Sequence, residues 1–172
     1  MRVIAAPLDA TRLRVLLILK REPGMSLKSI LAVKGDEVVS INSNADLAAA
    51  AKLLKKRQIG VLVVFDAGGR LVGILSERDI VGAMAENGDA ILRLPVSQVM
   101  TPKVSTCNLD DSIGSVMERM TEGKFRHMPV LDENRLVGIV SNRDLLKWHL
   151  DTIREHIQKI EESFAEVDLM RL

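Results

Sequence analysis

The sequence predicts an α/β (α+β) protein in which one βαββα unit occurs twice, the two copies pack about a pseudo-two-fold axis, and helices flank them at both ends. Two observations lead to this fold class. Residues 70–79 and 135–144 carry the same amino acid at eight of ten positions, and internal similarity of this kind decides the architecture. In each copy, apolar runs of strand length alternate with apolar residues at helical spacing. Because one copy is too short to bury a large core alone, packing of the two copies is expected.

The first copy is predicted to open with a strand at residues 38–41 and a helix at residues 45–56. Asn44 is expected to cap this helix, because its side chain can accept a hydrogen bond from a free N–H of the first turn. Four apolar residues recur at helical spacing, and the second copy has four apolar residues at the matching positions. They are Leu47, Ala50, Ala51 and Leu54 in the first copy and Ile113, Val116, Met117 and Met120 in the second.

A β-hairpin is predicted to follow in each copy. In the first, strands at residues 61–65 and 71–75 flank a turn with two glycines, which supply the positive φ that a tight turn needs. The matching turn of the second copy is one residue shorter. The strands are nearly continuous apolar runs, which indicates burial on both faces. A second helix is predicted to begin after Ser76, and its counterpart after Ser141.

The chain is expected to divide into four regions. They are an N-terminal extension (1–24), a first unit (25–94), a second unit (95–149) and a C-terminal amphipathic helix (150–172). Apolar residues run into this last helix at alternating spacings of four and three, namely Leu146, Leu150, Ile153, Ile157, Ile160, Phe164 and Val167. Such a heptad seam is typical of a coiled coil and predicts a homodimer. The alternative is a helix that packs back on its own domain.

Composition argues against several classes of protein. With 24 basic and 23 acidic side chains and only 2% aromatic residues, the chain is not expected to bind nucleic acid. No apolar run approaches the roughly 20 residues of a membrane span, so no membrane partner is expected. The one cysteine, Cys107, favours a reducing, cytoplasmic location and is expected to be a buried side chain rather than a nucleophile.

The sequence also lacks the usual marks of a catalyst. It contains no nucleophile elbow, glycine-rich phosphate loop or zinc-binding motif. His149 and His156 share a helix face, but a metal site would need further ligands at a recognisable spacing. The chain is therefore expected not to be an enzyme, with no catalytic residue, no metal ligand and no catalytic cofactor.

The residues that point to a ligand lie where a strand ends and a helix begins. Both copies carry the pattern Ser-x-Arg-Asp there, and a helix N-terminus offers free N–H groups and a positive dipole end to a phosphate. The serine adds a hydroxyl, the arginine can bind a phosphate, and the aspartate can accept both hydroxyls of a ribose. The strand before the hairpin is expected to end beside the same spot and to offer Arg126 and His127 there. The candidate ligand-binding residues are therefore Ser76, Arg78, Asp79, Arg126, His127, Ser141, Arg143 and Asp144.

The same pattern also has a purely structural interpretation. Ser-x-x-Asp at a helix start is close to a capping box, in which the serine side chain accepts from the backbone N–H three residues later. Capping does not require the arginine, which nevertheless occurs in both copies. The residues alone leave both interpretations open.

Over roughly residues 25–148 the chain resembles a pair of cystathionine-β-synthase (CBS) domains, the arrangement called a Bateman module. The motifs that carry the resemblance are LVGILSERD ending at Asp79, LVGIVSNRD ending at Asp144, VMTP at 99–102 and FRHMPV at 125–130. The resemblance implies a small stand-alone protein that binds AMP, ADP, ATP, NAD or S-adenosylmethionine. It assigns the two aspartates to ribose, the two Ser-x-Arg pairs to ribose and phosphate, and Arg126 and His127 to phosphate.

One departure from the family pattern affects the expected occupancy. Gly60 and Val61 stand where the second copy has Arg126 and His127, so the two expected clefts can differ in their ligand. The expected function is an adenine-nucleotide sensor that modulates an unidentified partner protein. The alternative is a ligand-free structural dimerisation module.

Overall fold

The computed structural model describes residues 26–169, and within the last helix it describes side chains as far as Glu162. The predicted N-terminal extension of residues 1–24 lies outside the described residues. In chain order the elements are α1 Leu27–Lys34, β1 Ser40–Asn42, α2 Leu47–Arg57, β2 Val61–Phe65, β3 Leu71–Ser76, α3 Glu77–Asn87, β4 Cys107–Asn108, α4 Ile113–Glu122, β5 His127–Asp132, β6 Arg135–Ser141 and α5 Asn142–Leu169. Two short 3₁₀ helices, Gly88–Arg93 and Val96–Gln98, connect the units.

The two units have the same sheet topology. One sheet has the strand order β1-β2-β3 and the other has β4-β5-β6. In each, the first pair of strands is parallel and the second pair is an antiparallel hairpin. The parallel pair requires a crossover, which α2 and α4 provide. The predicted α/β fold with a repeated βαββα unit is therefore confirmed.

The cap of helix α2 differs from the one expected. Asp46, not Asn44, is the N-cap, and its carboxylate accepts a hydrogen bond of 2.6 Å from the backbone N–H of Ala49. The backbone N–H of Asn44 instead donates to the side chain of Asn42 at 2.9 Å. This local turn delays the helix by two residues, because short polar side chains compete with the helix for backbone groups.

The two hairpin turns reverse the chain with different residues in the left-handed conformation. In the first, Gly69 adopts the left-handed conformation with φ +75°, as the glycine-containing turn predicts. In the second, Glu133 and Asn134 have φ values of +47° and +63°. Two successive left-handed residues are typical of the two-residue turn that matches the twist of paired strands. The shorter turn therefore preserves the hairpin.

Each unit has its own core, but the cores do not follow chain order. Helix α1 belongs to the second core, where Leu27, Ile30 and Leu31 are buried. Ile91 and Val96, from the connection that follows α3, belong to the first core. Fully burying a side chain of this size contributes about 1.5–3 kcal/mol. Each unit is thus completed by a segment that precedes it or follows it in the chain.

Two glycines mark where these segments dock. A Cβ at Gly138 of β6 would collide with the side chain of Leu31, and one at the matching Gly73 of β3 would collide with that of Met100. Leu31 and Met100 therefore occupy the same place in the two units. The absence of a side chain on the strand is what allows this close approach.

Within the described range of 26–169, no helix has both the length and the apolar character that crossing a membrane requires.

Candidate functional site

The first strand-to-helix junction is a complete capping box. The backbone N–H of Asp79 donates to Ser76 Oγ at 3.3 Å, and the backbone N–H and hydroxyl of Ser76 both donate to Asp79 Oδ2 at 2.7 Å. This arrangement pairs donors that the first turn of α3 would otherwise leave free. It also fixes the aspartate side chain in one orientation.

The second junction repeats the first with the same atoms. The backbone N–H of Asp144 donates to Ser141 Oγ at 3.3 Å, and Asp144 Oδ2 accepts from the Ser141 backbone N–H at 2.9 Å and from its hydroxyl at 2.8 Å. The capping interpretation therefore describes all four side chains. It does not exclude a ligand, since each box uses only Oδ2, and neither Oδ1 forms a hydrogen bond with residues 26–169. An oriented carboxylate with one free oxygen can still bind a hydroxyl.

A cleft of about 340 Å³ opens at the first junction and reaches the second unit. It brings together five of the predicted residues, Ser76, Arg78 and Asp79 from one unit with Arg126 and His127 from the other. The first-unit strand contributes Gly60 and Val61, which line the same cleft. Its volume falls in the range of small-molecule sites. The cleft therefore has room for a ligand held by both units.

Four further polar residues line this cleft that are not among the ligand-binding candidates predicted from the sequence. They are Thr101, Lys103, Ser105 and Lys124. With them the lining has four cations, Arg78, Lys103, Lys124 and Arg126, against the two carboxylates of Glu77 and Asp79. This excess of positive charge favours an anionic ligand. Both lysines lie in loops, and only the position of Lys103 directly after the VMTP motif could have drawn attention to it.

The remaining predicted residues, Ser141, Arg143 and Asp144, do not line this cleft. At their junction a lysine from helix α1 approaches the aspartate. Lys34 Nζ donates to Asp144 Oδ2 at 2.6 Å and to the carbonyl of Ile139 at 2.9 Å. Burial alone would raise the pKa of Asp144, but hydrogen bonds from Lys34 and Ser141 outweigh it and hold the pKa below its ordinary value. Asp144 is therefore a carboxylate that already has a cationic partner.

His127 connects the two junctions. It lines the cleft of the first junction and pairs with Ser141 in the β5–β6 register. Burial, reinforced by the positive charges of Lys34 and Arg126, lowers its pKa, and Asp144 opposes this only in part. At neutral pH the ring is therefore uncharged and can donate from one nitrogen while accepting at the other.

Cys107 lies in the core of the second unit with 2% of its surface exposed. Burial raises the pKa of its thiol to about 12. A protonated, buried thiol is inert as a nucleophile, which agrees with the structural role expected from the sequence. Among the side chains of residues 26–162, no three histidine, cysteine or acidic groups lie together as a metal ion would need.

Comparison with known proteins gives consistent matches. The family model described as "CBS domain" matches residues 27–86 and 96–151. The CBS-domain-containing protein ATU1752 from Agrobacterium tumefaciens is 40% identical, with a TM-score of 0.71 over 72% of this chain and 98% of that protein.

Two solved relatives contain adenosine ligands. The CBS domain pair of protein MJ0100, in complex with 5'-methylthioadenosine and S-adenosyl-L-methionine, is 30% identical, with a TM-score of 0.66 over 76% of this chain and 99% of that one. The CBS domain protein PAE2072 from Pyrobaculum aerophilum, complexed with AMP, is 28% identical, with a TM-score of 0.61 over 69% of this chain and 88% of that one.

Proposed function

Because this chain belongs to the CBS-domain family, we propose that it is a regulatory module that binds an adenine nucleotide in the cleft at its first strand-to-helix junction. One observation carries this proposal above the others. The cleft gathers Ser76, Arg78 and Asp79 from one unit and Arg126 and His127 from the other. A capping box alone would not require the second unit to supply a cation and an imidazole at the same place.

In this proposal the ribose binds Asp79. The capping box orients the carboxylate and leaves Oδ1 without a hydrogen bond to the described residues. An ionised carboxylate accepts from hydroxyl groups through short, charge-assisted hydrogen bonds. Ser76 and the first turn of α3 lie on the side from which a phosphate would meet the helix N-terminus.

The phosphates would bind the cationic part of the lining. Arg78, Arg126, Lys103 and Lys124 line the cleft, and neutral His127 can add one hydrogen bond. Solved relatives contain AMP in one case and S-adenosyl-L-methionine with 5'-methylthioadenosine in another. The positive lining supports AMP, ADP, ATP or NAD over S-adenosylmethionine, whose sulfonium is itself a cation.

Regulation would follow from differential binding. A ligand that touches both units stabilises the arrangement in which they hold it, and it shifts a partner's activity only as far as its affinity differs between two states of the module. We propose this role rather than catalysis. The regulated partner, and the cytoplasmic location expected from the sequence, stay predictions.

A homodimer is the second part of the proposal. On helix α5 the side chains of Leu146, Leu150, Ile153 and Ile157 are 50%, 45%, 42% and 51% exposed. Phe164 and Val167, which continue the predicted seam, lie outside the described side chains. An apolar stripe of this kind is covered when two copies pair about a two-fold axis. The alternative, a dimerisation module without a ligand, rests on the same stripe and on capping boxes that are complete by themselves.

Thermal-shift and calorimetric titrations of the full chain with AMP, ADP, ATP, NAD and S-adenosylmethionine test the ligand proposal, with GMP as the control for the base. We expect at least one adenine nucleotide to raise the Tm, and Asp79→Asn to remove that effect. A chain that dimerises but responds to none of these compounds would support the ligand-free alternative instead.

A further inference from the structure

We propose that Lys34 makes the two junctions unequal: it occupies the Asp144 carboxylate, so that the chain binds one nucleotide, at Asp79, and binds a second only when Lys34 is displaced. This inference rests on the proposed function, because it assumes that ribose binds these aspartates. It adds which of the two junctions binds the nucleotide and names Lys34 as the residue that determines this.

Asp144 has more hydrogen-bond donors around it than Asp79. Its Oδ2 accepts from three donors within 2.9 Å: the Ser141 backbone N–H, the Ser141 hydroxyl and Lys34 Nζ. Among the residues that the structure describes, only the two serine donors reach Asp79 Oδ2. The Lys34 and Asp144 side chains are 36% and 26% exposed, so the ion pair is partly withdrawn from water. Within the described part of the chain, Oδ1 of Asp144 is as free as that of Asp79, but a diol that approaches it meets a carboxylate whose charge is already paired with an ammonium group in contact.

The first unit carries a lysine at the equivalent position, but in a different setting. Leu31 and Met100 fill the same place in the two units, over matching glycines. Lys34 follows Leu31 by three residues, and Lys103 follows Met100 by three. Lys103 lines the cleft at Asp79, yet within residues 26–169 it forms no ion pair with that aspartate.

The backbone accounts for the different settings of Lys34 and Lys103. In the first unit, the Ile74 carbonyl accepts from the Thr101 N–H at 2.9 Å and the Ile74 N–H donates to Thr101 at 3.0 Å. The corresponding carbonyl of the second unit, Ile139, accepts from Lys34 Nζ instead. Helix α1 has eight residues, whereas its counterpart Val96–Gln98 has three. The longer helix places the Lys34 side chain against β6, whereas the shorter one is followed by the Thr101 backbone, which pairs with β3.

Calorimetric stoichiometry with AMP and with ATP tests the inference on the full chain. We expect one equivalent per chain for the natural sequence, which Asp79→Asn removes and Asp144→Asn leaves in place. Lys34→Met should add a second equivalent that Asp144→Asn then removes. Lys34→Arg, which keeps a cation against the carboxylate, should stay at one.

Lys103→Met is the matched control. It removes the pseudo-symmetric lysine and should weaken the first site, by about tenfold if one charged contact is lost, without adding an equivalent. Two equal sites in the natural sequence, or a single site in Lys34→Met with its fold intact by circular dichroism, would overturn this inference and leave the proposed function standing. No binding by any variant would overturn the proposed function, and this inference with it.

Discussion

The side chain of Leu31, in the helix that begins the described chain, lies directly against Gly138 in strand β6, more than a hundred residues later. The contact leaves no space for a Cβ on the strand. It anchors helix α1 to the second sheet and sets the position of Lys34 one helical turn further on.

Gly138→Ala should destabilise the protein more than Gly73→Ala does. The new methyl group would meet both terminal carbons of Leu31, whereas at Gly73 it meets the thioether of Met100, a more adaptable side chain. Forcing an extra methyl into a packed site costs about 1–3 kcal/mol. Urea denaturation measures both variants. Adding Leu31→Ala to Gly138→Ala should remove the clash, so a double variant whose loss equals the sum of the single losses would contradict this account.

Arg126→Ala should weaken nucleotide binding more than adenosine binding. If its guanidinium binds a phosphate, its loss costs roughly 1.5–3 kcal/mol for AMP and little for adenosine. Competition calorimetry with the two compounds measures the difference. Lys55→Ala, on the exposed surface of α2 and outside the cleft lining, is the control and should affect neither. An equal loss for AMP and adenosine would remove Arg126 from the phosphate site.

Stability should fall as the pH drops below about 6.5, through protonation of His127. Burial, with the charges of Lys34 and Arg126, lowers the folded-state pKa of this histidine below its ordinary 6.5. Between that value and the lowered pKa the unfolded chain binds more protons than the folded protein, so lower pH favours unfolding. Urea denaturation at pH 7.5 and 5.5 should show a smaller loss for His127→Gln than for the natural chain. Equal losses would assign the acid sensitivity to other groups.

Ile153→Glu combined with Ile157→Glu should dissociate the proposed dimer. Both side chains are exposed on helix α5, and charges within a helix–helix seam are opposed by desolvation. Sedimentation at several concentrations measures the effect, and removal of residues 151–172 should act in the same direction. Glu155→Lys, two residues from each isoleucine on the polar side of the helix, is the control. A natural chain that sediments as a monomer would refute the dimer itself.

The repeated strands, helices and hairpins could be predicted from the sequence because their signals are local. The spacing of apolar residues identifies α2 and α4, and the shortened second turn keeps strands β5 and β6 in register. The cap of α2 was predicted two residues early, since Asn42 holds Asn44 in a turn that no periodicity reveals.

The contacts between distant segments could not be predicted from local sequence patterns. In the sequence, Lys34 is indistinguishable from any cation that stabilises the C-terminus of a helix. Its contact with Asp144 joins residues 110 positions apart in the chain. Lys124 and Lys103 carry no motif and become cleft residues only through the packing of the two units. The five predicted residues of the first cleft, by contrast, lie at the end of β3, in the first turn of α3 and at the start of β5, where the repeated motifs already indicated them.

Helix α1 packs in the second core, and the 3₁₀ connection packs in the first. This exchange affects how the sequence repeat relates to the folded units and how cooperatively they unfold. The unit that duplicated in the sequence and the unit that packs in space are out of phase by one segment. Cutting the chain between the two repeats would separate β6 from Leu31. It would also leave the apolar face of α1 exposed on the fragment that contains the first sheet. The two halves should therefore melt in a single transition.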